Sequence, residues 1–392
     1  MLIKDKYQLT LGEFLDKATL FGIFIFALSS LISKGISSVG LGLACLFWII
    51  RIIVTENYNF NKTELDKAIL FFIAALLFSG VDVYSLQVLD EIDNILLAIL
   101  FYYVIVNTIK NLNLVKKLSY FALVSMLISL IYGFHQKFNL RMDRINGFSF
   151  PLSYGNLLSI FLLFVISYVL WCNMNFKKRL SLLVIFIMLK INFLFTLARG
   201  AWLGFIGGIF SIILIKDKKL IGVLLICFIL LIFFLPQTII NRFKSIVDLE
   251  NDKSIITRIN LWKGSWRMFA DHPINGVGIG YFTKEFNRNY RLDSQIIVNA
   301  SHAHNNFLHF LATTGLIGFL TFLFLTAKII YVMHKGYKSL NLKQWELFIL
   351  SSLGSIISFS LHGVTEYSFG DTETVRFFWF LIALSMIVIN KK

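Results

Sequence analysis

Apolar runs long enough to cross a bilayer recur along almost the whole chain. A transmembrane helix needs about 20 mostly apolar residues. Hydropathy along the 392 residues predicts about twelve spans, at 18–33, 36–54, 68–81, 94–108, 118–134, 152–171, 180–198, 201–215, 220–236, 307–333, 345–360 and 375–389. Because the hydrocarbon core holds no water, the backbone polar groups there must bond within their own segment. The sequence therefore predicts an all-α, polytopic integral membrane protein.

The composition agrees with a membrane protein and argues against a soluble domain. Hydrophobic residues make up 57% of the chain and charged residues only 15%, whereas a soluble domain carries about 25% charged residues. The net charge of +15 comes from lysines and arginines clustered between apolar runs. That pattern indicates membrane lipids as partners and not nucleic acid. The three cysteines form no metal motif or plausible pair, and residues 1–17 contain no cleavable signal.

The basic clusters also predict the orientation. They occupy every second connection, for example at 110–117, 177–179 and 216–219. The positive-inside rule makes that side cytoplasmic, and both termini lie on it. We therefore expect a single membrane domain, 1–392, with a large external loop at 237–305 between the ninth and tenth spans.

The stretch 301–320 carries the first candidate for chemistry. Its His304-Asn305 pair lies at the outer mouth of the tenth span, where six of the seven histidines share the predicted external face. A histidine suits proton transfer because its ordinary pKa is near neutrality. His302 and His309 compete for that role, and an interfacial hydrogen bond is the alternative. Gly315, further along the same span, predicts a close approach between helices.

A second candidate is Arg199, which stands between two spans with almost no loop. An arginine at the membrane boundary is costly unless it is paired or faces water, so it is a functional candidate. Its planar guanidinium suits phosphate oxygens, although snorkelling to lipid headgroups is an equally good explanation. Gly200, Gly204 and Gly208 repeat at every fourth position and predict helix packing.

The external segment 252–282 predicts an amphipathic helix followed by a turn. Ser254 is expected to cap the helix, and Arg258 borders its apolar stripe. The stripe consists of Ile255, Ile259, Trp262, Trp266 and Phe269. We expect it to place its two tryptophans at the membrane surface. The glycines of NGVGIGYF follow no strand, so they indicate a turn and not a nucleotide site. Together, the external arginines and histidine favour a phosphate-bearing lipid substrate that is handled without a metal.

Four motifs give the chain a family resemblance. They are RINGFSFPLSYGN (144–156), RGAWL (199–203), TRINLWKGSWRMFADHPINGVGIGYF (257–282) and HNNFLHFLATTGLIG (304–318). In this order and on the predicted outer face, they resemble the O-antigen ligase and O-antigen polymerase superfamily of bacterial envelope enzymes. The resemblance covers roughly residues 144–375.

The resemblance implies a metal-independent glycosyltransferase without cofactors. Such enzymes take a glycan from undecaprenyl pyrophosphate on the external face of the bacterial inner membrane. Ligases pass it to a sugar hydroxyl of the lipid A core, and polymerases pass it to a lipid-linked repeat unit. By resemblance, His304 is the catalytic residue, and Arg199 and Arg258 hold the pyrophosphate. The supporting residues are expected to be Arg144, Asn305, Arg267 and Glu366.

The sequence leaves three alternatives open. An arginine followed after ten residues by glycine, as in polymerases of the family, occurs at Arg144–Gly155 and Arg267–Gly278, but composition alone supplies such matches. The ligase motifs fit more completely, so we favour a ligase over a polymerase. A flippase or exporter of the same lipid would show internal repeats and a site near the midplane. A non-catalytic scaffold would leave Arg199 and His304 without a purpose.

Overall fold

A computed structural model describes residues 2–80, 86–223, 226, 236–245, 252–291 and 301–391, and within these ranges every regular element is helical. Two π-helical turns, His135–Asn139 and Phe286–Tyr290, extend the helices that precede them. The α-helices are α1 Leu2–Ser29, α2 Lys34–Thr55, α3 Asp66–Ser79, α4 Leu86–Thr108, α5 Leu112–Phe134, α6 Pro151–Trp171, α7 Phe176–Phe195, α8 Arg199–Lys216, α9 Gln237–Lys244, α10 Lys253–Asp271, α11 Phe282–Glu285, α12 Asn306–Ser339, α13 Lys343–His362 and α14 Thr372–Asn390.

Seven of the described helices are long and apolar enough to cross a membrane: α2, α5, α6, α8, α12, α13 and α14. Helices α1, α3, α4 and α7 also coincide with predicted spans, but they are shorter or carry more charges. The predicted ninth span, 220–236, lies mostly outside the described residues. The all-α, polytopic fold is therefore confirmed, and the number of twelve spans stays a prediction.

Helix α14 forms the centre of the bundle, with almost every side chain buried, and it packs against α4 and α13. Around it, α8 packs on α13 through its glycines. A Cβ at Gly204 would meet the Ser358 carbonyl oxygen at 2.5 Å, and one at Gly208 would meet the Gly354 oxygen at 2.7 Å. The predicted packing role of these glycines is confirmed.

Helix α12 is broken at Gly315, whose backbone adopts φ 61° and ψ −163°. The turn after α10 fills the break. The Leu316 N–H donates to the Pro273 carbonyl at 2.8 Å, and the Val277 N–H donates to the Ala312 carbonyl at 2.9 Å. Non-helical backbone at membrane depth is tolerated where protein satisfies its polar groups. The prediction that Gly315 brings two helices together is corrected, because this glycine instead lets the turn enter the helix.

Helix α10 confirms that the segment 252–282 begins with a helix, with one correction at its start, and its external position stays a prediction. Its N-cap is Asp252, whose carboxylate accepts from the backbone N–H groups of Ser254 and Ile255, so Ser254 is not the cap. The face buried against α12 consists of Leu261, Gly264, Ser265 and Met268. Of the two tryptophans in the predicted stripe, Trp262 packs against this buried face, whereas Trp266 is 57% exposed.

Candidate active site

A cavity of about 970 Å³ lies where four segments meet. The loop before α6, the start of α11, the stretch before α12 and the loop between α13 and α14 all contribute to its wall. Its polar lining includes Arg144, His302, His304 and Glu366. The structure thus brings three of the predicted site residues, Arg144, His304 and Glu366, to one cavity.

His304 and Glu366 form the closest polar contact in the cavity wall. The Nδ1 atom of His304 lies 2.7 Å from the Oε1 atom of Glu366. Its neighbour His302 places Nε2 at 3.9 Å from the same oxygen, and the two imidazole rings lie 4.3 Å apart. With Nδ1 held by the carboxylate, the Nε2 atom of His304 is the ring nitrogen available to a ligand.

The local backbone fixes this histidine. His304 has φ 48°, in the left-handed region that side chains other than glycine rarely adopt and that is enriched at functional sites. Asn305 is the N-cap of α12, where its side-chain oxygen accepts from the Leu308 N–H at 3.0 Å. Asn305 therefore begins the helix directly after His304 and acts as a positioning residue.

Glu366 is buried but stays ionised. Burial raises the pKa of its carboxyl, and the hydrogen bond and charge of His304, with the charges of His302 and His362, lower it by more, to about 2. On its other side, the Nη2 atom of Arg258 lies 3.6 Å from Oε2. A buried carboxylate is retained only when it is paired in this way.

Beside the cavity lies a group of four arginines, which we call the arginine cluster: Arg144, Arg199, Arg242 and Arg258. Arg199 donates to the Asp252 carboxylate at 2.9 Å and to the Ser245 hydroxyl at 2.8 Å. Arg242 approaches the same carboxylate at 3.7 Å. Burial raises the pKa of Asp252, but the charge and hydrogen bond of Arg199, together with hydrogen bonds from Ser245 and Ser254, lower it by more, so the net shift is downward.

Among the described residues the arginine cluster is under-neutralised, which means that its positive charges outnumber the carboxylates that contact it. Burial lowers the pKa of Arg144, and the charges of Arg242, Arg258 and Arg199 lower it further, which shows that the four guanidinium groups lie within electrostatic range of one another. Only Asp252 and Glu366 contact them as carboxylates in the part of the chain that the structure describes. Such an excess of positive charge is a site for an anion with several oxygens.

Helix starts and hydrogen bonds to backbone carbonyls hold three of these arginines in place. Arg199 is the first residue of α8, two positions after Leu197, which has φ 51°. Arg258 lies in the second turn of α10, where it donates to the Thr365 carbonyl at 3.1 Å and to the Ser254 hydroxyl at 2.7 Å. Arg144 donates through Nε to the Thr196 carbonyl at 2.7 Å, just before α8.

Two sequence candidates lie elsewhere. Arg267 is exposed on α10 and does not line the cavity, so the structure separates it from the arginine cluster. His309, which competed for the catalytic role, is fully buried, with its ring centroid 3.7 Å from that of Tyr367. The predicted roles of Arg199, Arg258 and His304 stay predictions, although these residues lie close to the same cavity.

The sequence did not single out Arg242, Asp252 or Asn306. Asn306 fastens the Glu366 loop, because its N–H donates to the Gly363 carbonyl at 2.7 Å and its Oδ1 accepts from the Ser368 N–H at 2.8 Å. Its place in the histidine motif, directly after His304-Asn305, was an available signal. Arg242 and Asp252 lie in polar segments without such a motif.

His302, His304 and Glu366 are the described residues that could hold a metal ion together. Each offers one ligand atom, and the three atoms lie within 4.8 Å of one another. Two imidazoles and a carboxylate match the donor set of many zinc and iron sites. A divalent cation there would compete with the contact between His304 and Glu366.

Comparison with known proteins supports the resemblance. Residues 183–323 match the O-antigen ligase family. The predicted family resemblance is confirmed. The matched segment contains Arg199, Arg258 and His304. The chain is also similar to the teichuronic acid biosynthesis protein TuaE of Bacillus subtilis (strain 168), with 27% identity over 162 residues. That match spans 41% of this chain and only 30% of the relative.

Proposed function

We propose that this protein is an O-antigen ligase-like glycosyltransferase. It moves a glycan from undecaprenyl pyrophosphate to a sugar hydroxyl of the lipid A core, on the external face of the bacterial inner membrane. One observation carries the proposal: the under-neutralised arginine cluster lies beside a cavity whose wall contains the His304–Glu366 pair.

The arginine cluster is suited to the diphosphate of the donor. In the part of the chain that the structure describes, the four guanidinium groups exceed the carboxylates that contact them by two charges. A diphosphate offers several oxygens to planar, two-pronged donors. Positive charge fixed beside the leaving oxygen stabilises the negative charge that develops there as the glycosidic bond breaks. The same charge fills the role that a divalent cation has in other glycosyltransferases, so we propose that transfer needs no metal.

The His304–Glu366 pair is suited to the acceptor. With Nδ1–H donating to the Glu366 carboxylate, Nε2 of His304 can accept the proton of a sugar hydroxyl. The acceptor oxygen then bonds to the anomeric carbon while the bond from that carbon to the phosphate oxygen breaks. Undecaprenyl pyrophosphate leaves with the electron pair, and the proton on His304 passes to solvent. Glu366 orients the imidazole and stabilises its protonated form, as the carboxylate does in hydrolase triads.

A polymerase is the second candidate. The similar protein from Bacillus subtilis is named for the biosynthesis of teichuronic acid, and Arg144 of the first polymerase-like pattern lines the cavity. The exposed Arg267 of the second pattern does not. A polymerase would use the same chemistry with a lipid-linked repeat unit as the acceptor.

A transfer assay separates these candidates. The purified protein would receive radiolabelled lipid-linked glycan with either a lipid A core or an unlabelled lipid-linked repeat unit, and the product would be resolved by gel. Transfer to the core alone supports the ligase, and chain growth on the lipid-linked acceptor supports the polymerase. If the protein transfers glycan to neither acceptor but moves the lipid-linked glycan across the membrane of proteoliposomes, it is a transporter and not a transferase.

We also propose that the cavity faces the external side and that both termini are cytoplasmic, on the basis of the alternating basic clusters. Two exposed positions test this orientation, Arg288 beside the cavity and Lys178 at the start of α7. An impermeant thiol reagent should label the Arg288→Cys protein in intact cells and should not label the Lys178→Cys protein. The opposite pattern would invert the orientation.

A further inference from the structure

The cavity has a second polar end that the transfer mechanism above does not use. Lys34, Asn94, Asp371 and Thr372 line it, and they come from the starts of α2 and α14 and from α4. Phe150, at the N-cap of α6, also lines the cavity. We call these five residues the distal subsite.

The polar groups of the distal subsite are held in place by the protein. Asp371 caps α14, where its Oδ1 accepts from the Glu373 N–H at 3.3 Å and its Oδ2 accepts from the Thr374 hydroxyl at 2.9 Å. The Oδ1 atom of Asn94 accepts from Thr372 at 3.1 Å and from Arg376 at 3.2 Å. Because this oxygen is already engaged by the protein, the amide NH₂ is the group that Asn94 can offer to a ligand.

Phe150 adds an aromatic surface. Its side chain is 75% exposed, and it stands in the wall of a cavity in which most of the lining residues are polar. An exposed aromatic ring beside fixed hydrogen-bond donors and acceptors is complementary to a sugar ring, which has an apolar face and a polar edge. The C–H face of a pyranose packs on an aromatic surface, while each hydroxyl at its edge both donates and accepts.

The charge of the distal subsite differs from that of the arginine cluster. Lys34 lines the cavity together with Asp371 and lines a smaller neighbouring cavity together with Glu373. Burial raises the pKa of the Asp371 carboxyl, and the charge of Lys34 lowers it in part. This end of the cavity therefore lacks the positive excess that a diphosphate requires, and an uncharged polyol suits it better.

We propose that the distal subsite binds an uncharged sugar ring of the glycan substrates. The inference rests on the proposed transfer function, because it assigns one end of the cavity to the diphosphate and the other end to a sugar. The ring belongs either to the donor glycan or to the acceptor, and both sources share the chemistry that this subsite recognises.

Direct binding tests the subsite without turnover. The probe is the neutral oligosaccharide released by mild acid from the lipid-linked glycan of cells that produce this protein, and saturation-transfer NMR measures its binding to the purified protein. Phe150→Ala should weaken binding about tenfold through loss of stacking. Asp371→Asn should weaken it about tenfold through loss of a carboxyl oxygen that accepts from a sugar hydroxyl, while asparagine keeps the helix cap.

Matched controls exist outside the cavity. Phe176 is 77% exposed at the start of α7, and Asp217 follows the end of α8. Phe176→Ala and Asp217→Asn should leave oligosaccharide binding unchanged. His304→Ala should also keep binding, since it removes the proton acceptor and not the subsite. Equal binding by the wild type and both subsite variants, or no saturable binding to the wild type at millimolar oligosaccharide, would overturn the proposal.

Kinetics then identify the source of the sugar. If the subsite holds the acceptor, Phe150→Ala should raise the KM for the acceptor about tenfold and leave the KM for the donor unchanged. If it holds the donor glycan, the effect should fall on the donor KM. If the protein binds the oligosaccharide but transfers no glycan, the proposed function is wrong and the proposed subsite still stands. Failure of the function and failure of the subsite are therefore distinguishable.

Discussion

Replacing Glu366 by glutamine tests the centre of the site more sharply than any other single change. The carboxylate lies between His304, at 2.7 Å, and Arg258, at 3.6 Å. Glutamine keeps the shape of the side chain and an oxygen that His304 can contact, but it removes the negative charge. The substitution therefore separates the effect of the charge from the effect of packing.

The size of the effect follows from the pKa of Glu366. Burial raises that pKa and the surrounding histidines lower it by more, so the net result is a fall from 4.5 to about 2. Each unit corresponds to about 1.4 kcal/mol, so the ionised carboxylate stabilises the folded protein by on the order of 3 kcal/mol. Because the folded pKa is the lower one, this contribution is present above about pH 4.5 and is lost as the pH falls toward 2. Glutamine lacks it at every pH.

Two measurements check this expectation. Thermal unfolding in detergent at about pH 5, below the ordinary pKa of histidine, should show a Tm several degrees lower for Glu366→Gln than for the wild type. The transfer rate should fall at least tenfold, because the imidazole loses a charge-assisted hydrogen bond. Glu56→Gln, at an exposed carboxylate after α2, is the control. A Glu366→Gln protein with the Tm and the rate of the wild type would refute the reasoning.

Three further predictions concern the same cavity. His304→Ala should abolish transfer while lipid-linked substrate still binds, and His302→Ala should lower the transfer rate less. If His302 proves essential and His304 does not, His302 is the catalytic residue. Arg199→Lys and Arg258→Lys should each slow transfer by on the order of a hundredfold, because an ammonium group cannot make the two-pronged contact with pyrophosphate oxygens, and unchanged steady-state rates would contradict the phosphate role. Transfer should continue in EDTA; activity that is lost in chelator and restored by magnesium or manganese would point to a bound cation, with both histidines and Glu366 as the first ligands to test.

The helices were predictable because bilayer length and apolar composition constrain the sequence directly. The break in α12 was not predictable, since Gly315 lies inside a predicted span and glycine is tolerated inside membrane helices. Only the partner turn shows why the chain leaves the helix there. Likewise, Ser254 and Asp252 are both good helix caps, and the tertiary position of Arg258, which takes the Ser254 hydroxyl, leaves the cap to Asp252.

The residues of the candidate site could be predicted where they belong to a sequence motif. Arg199, Arg258 and His304 were found through short patterns, and Glu366 through its place before the last span. Arg242 and Asp252 were not found, because one charge in a polar segment resembles any other until the fold places it beside Arg199. The contact of Glu366 with both His304 and Arg258 is likewise a property of the packing of three distant segments.

The broken helix explains why the histidine motif and the turn after α10 belong together. The turn satisfies the backbone of α12 at the break, where the Gly278 N–H donates to the Thr313 carbonyl at 3.0 Å. Since α10 carries Arg258 and α12 begins just after His304, this junction sets the distance between the two. Glu366 then contacts both residues from a third segment, which Asn306 holds in place. The relative position of Arg258 and His304 therefore depends on backbone hydrogen bonds between described segments of the protein. The proposed stabilisation of a leaving group would require preorganisation of this kind.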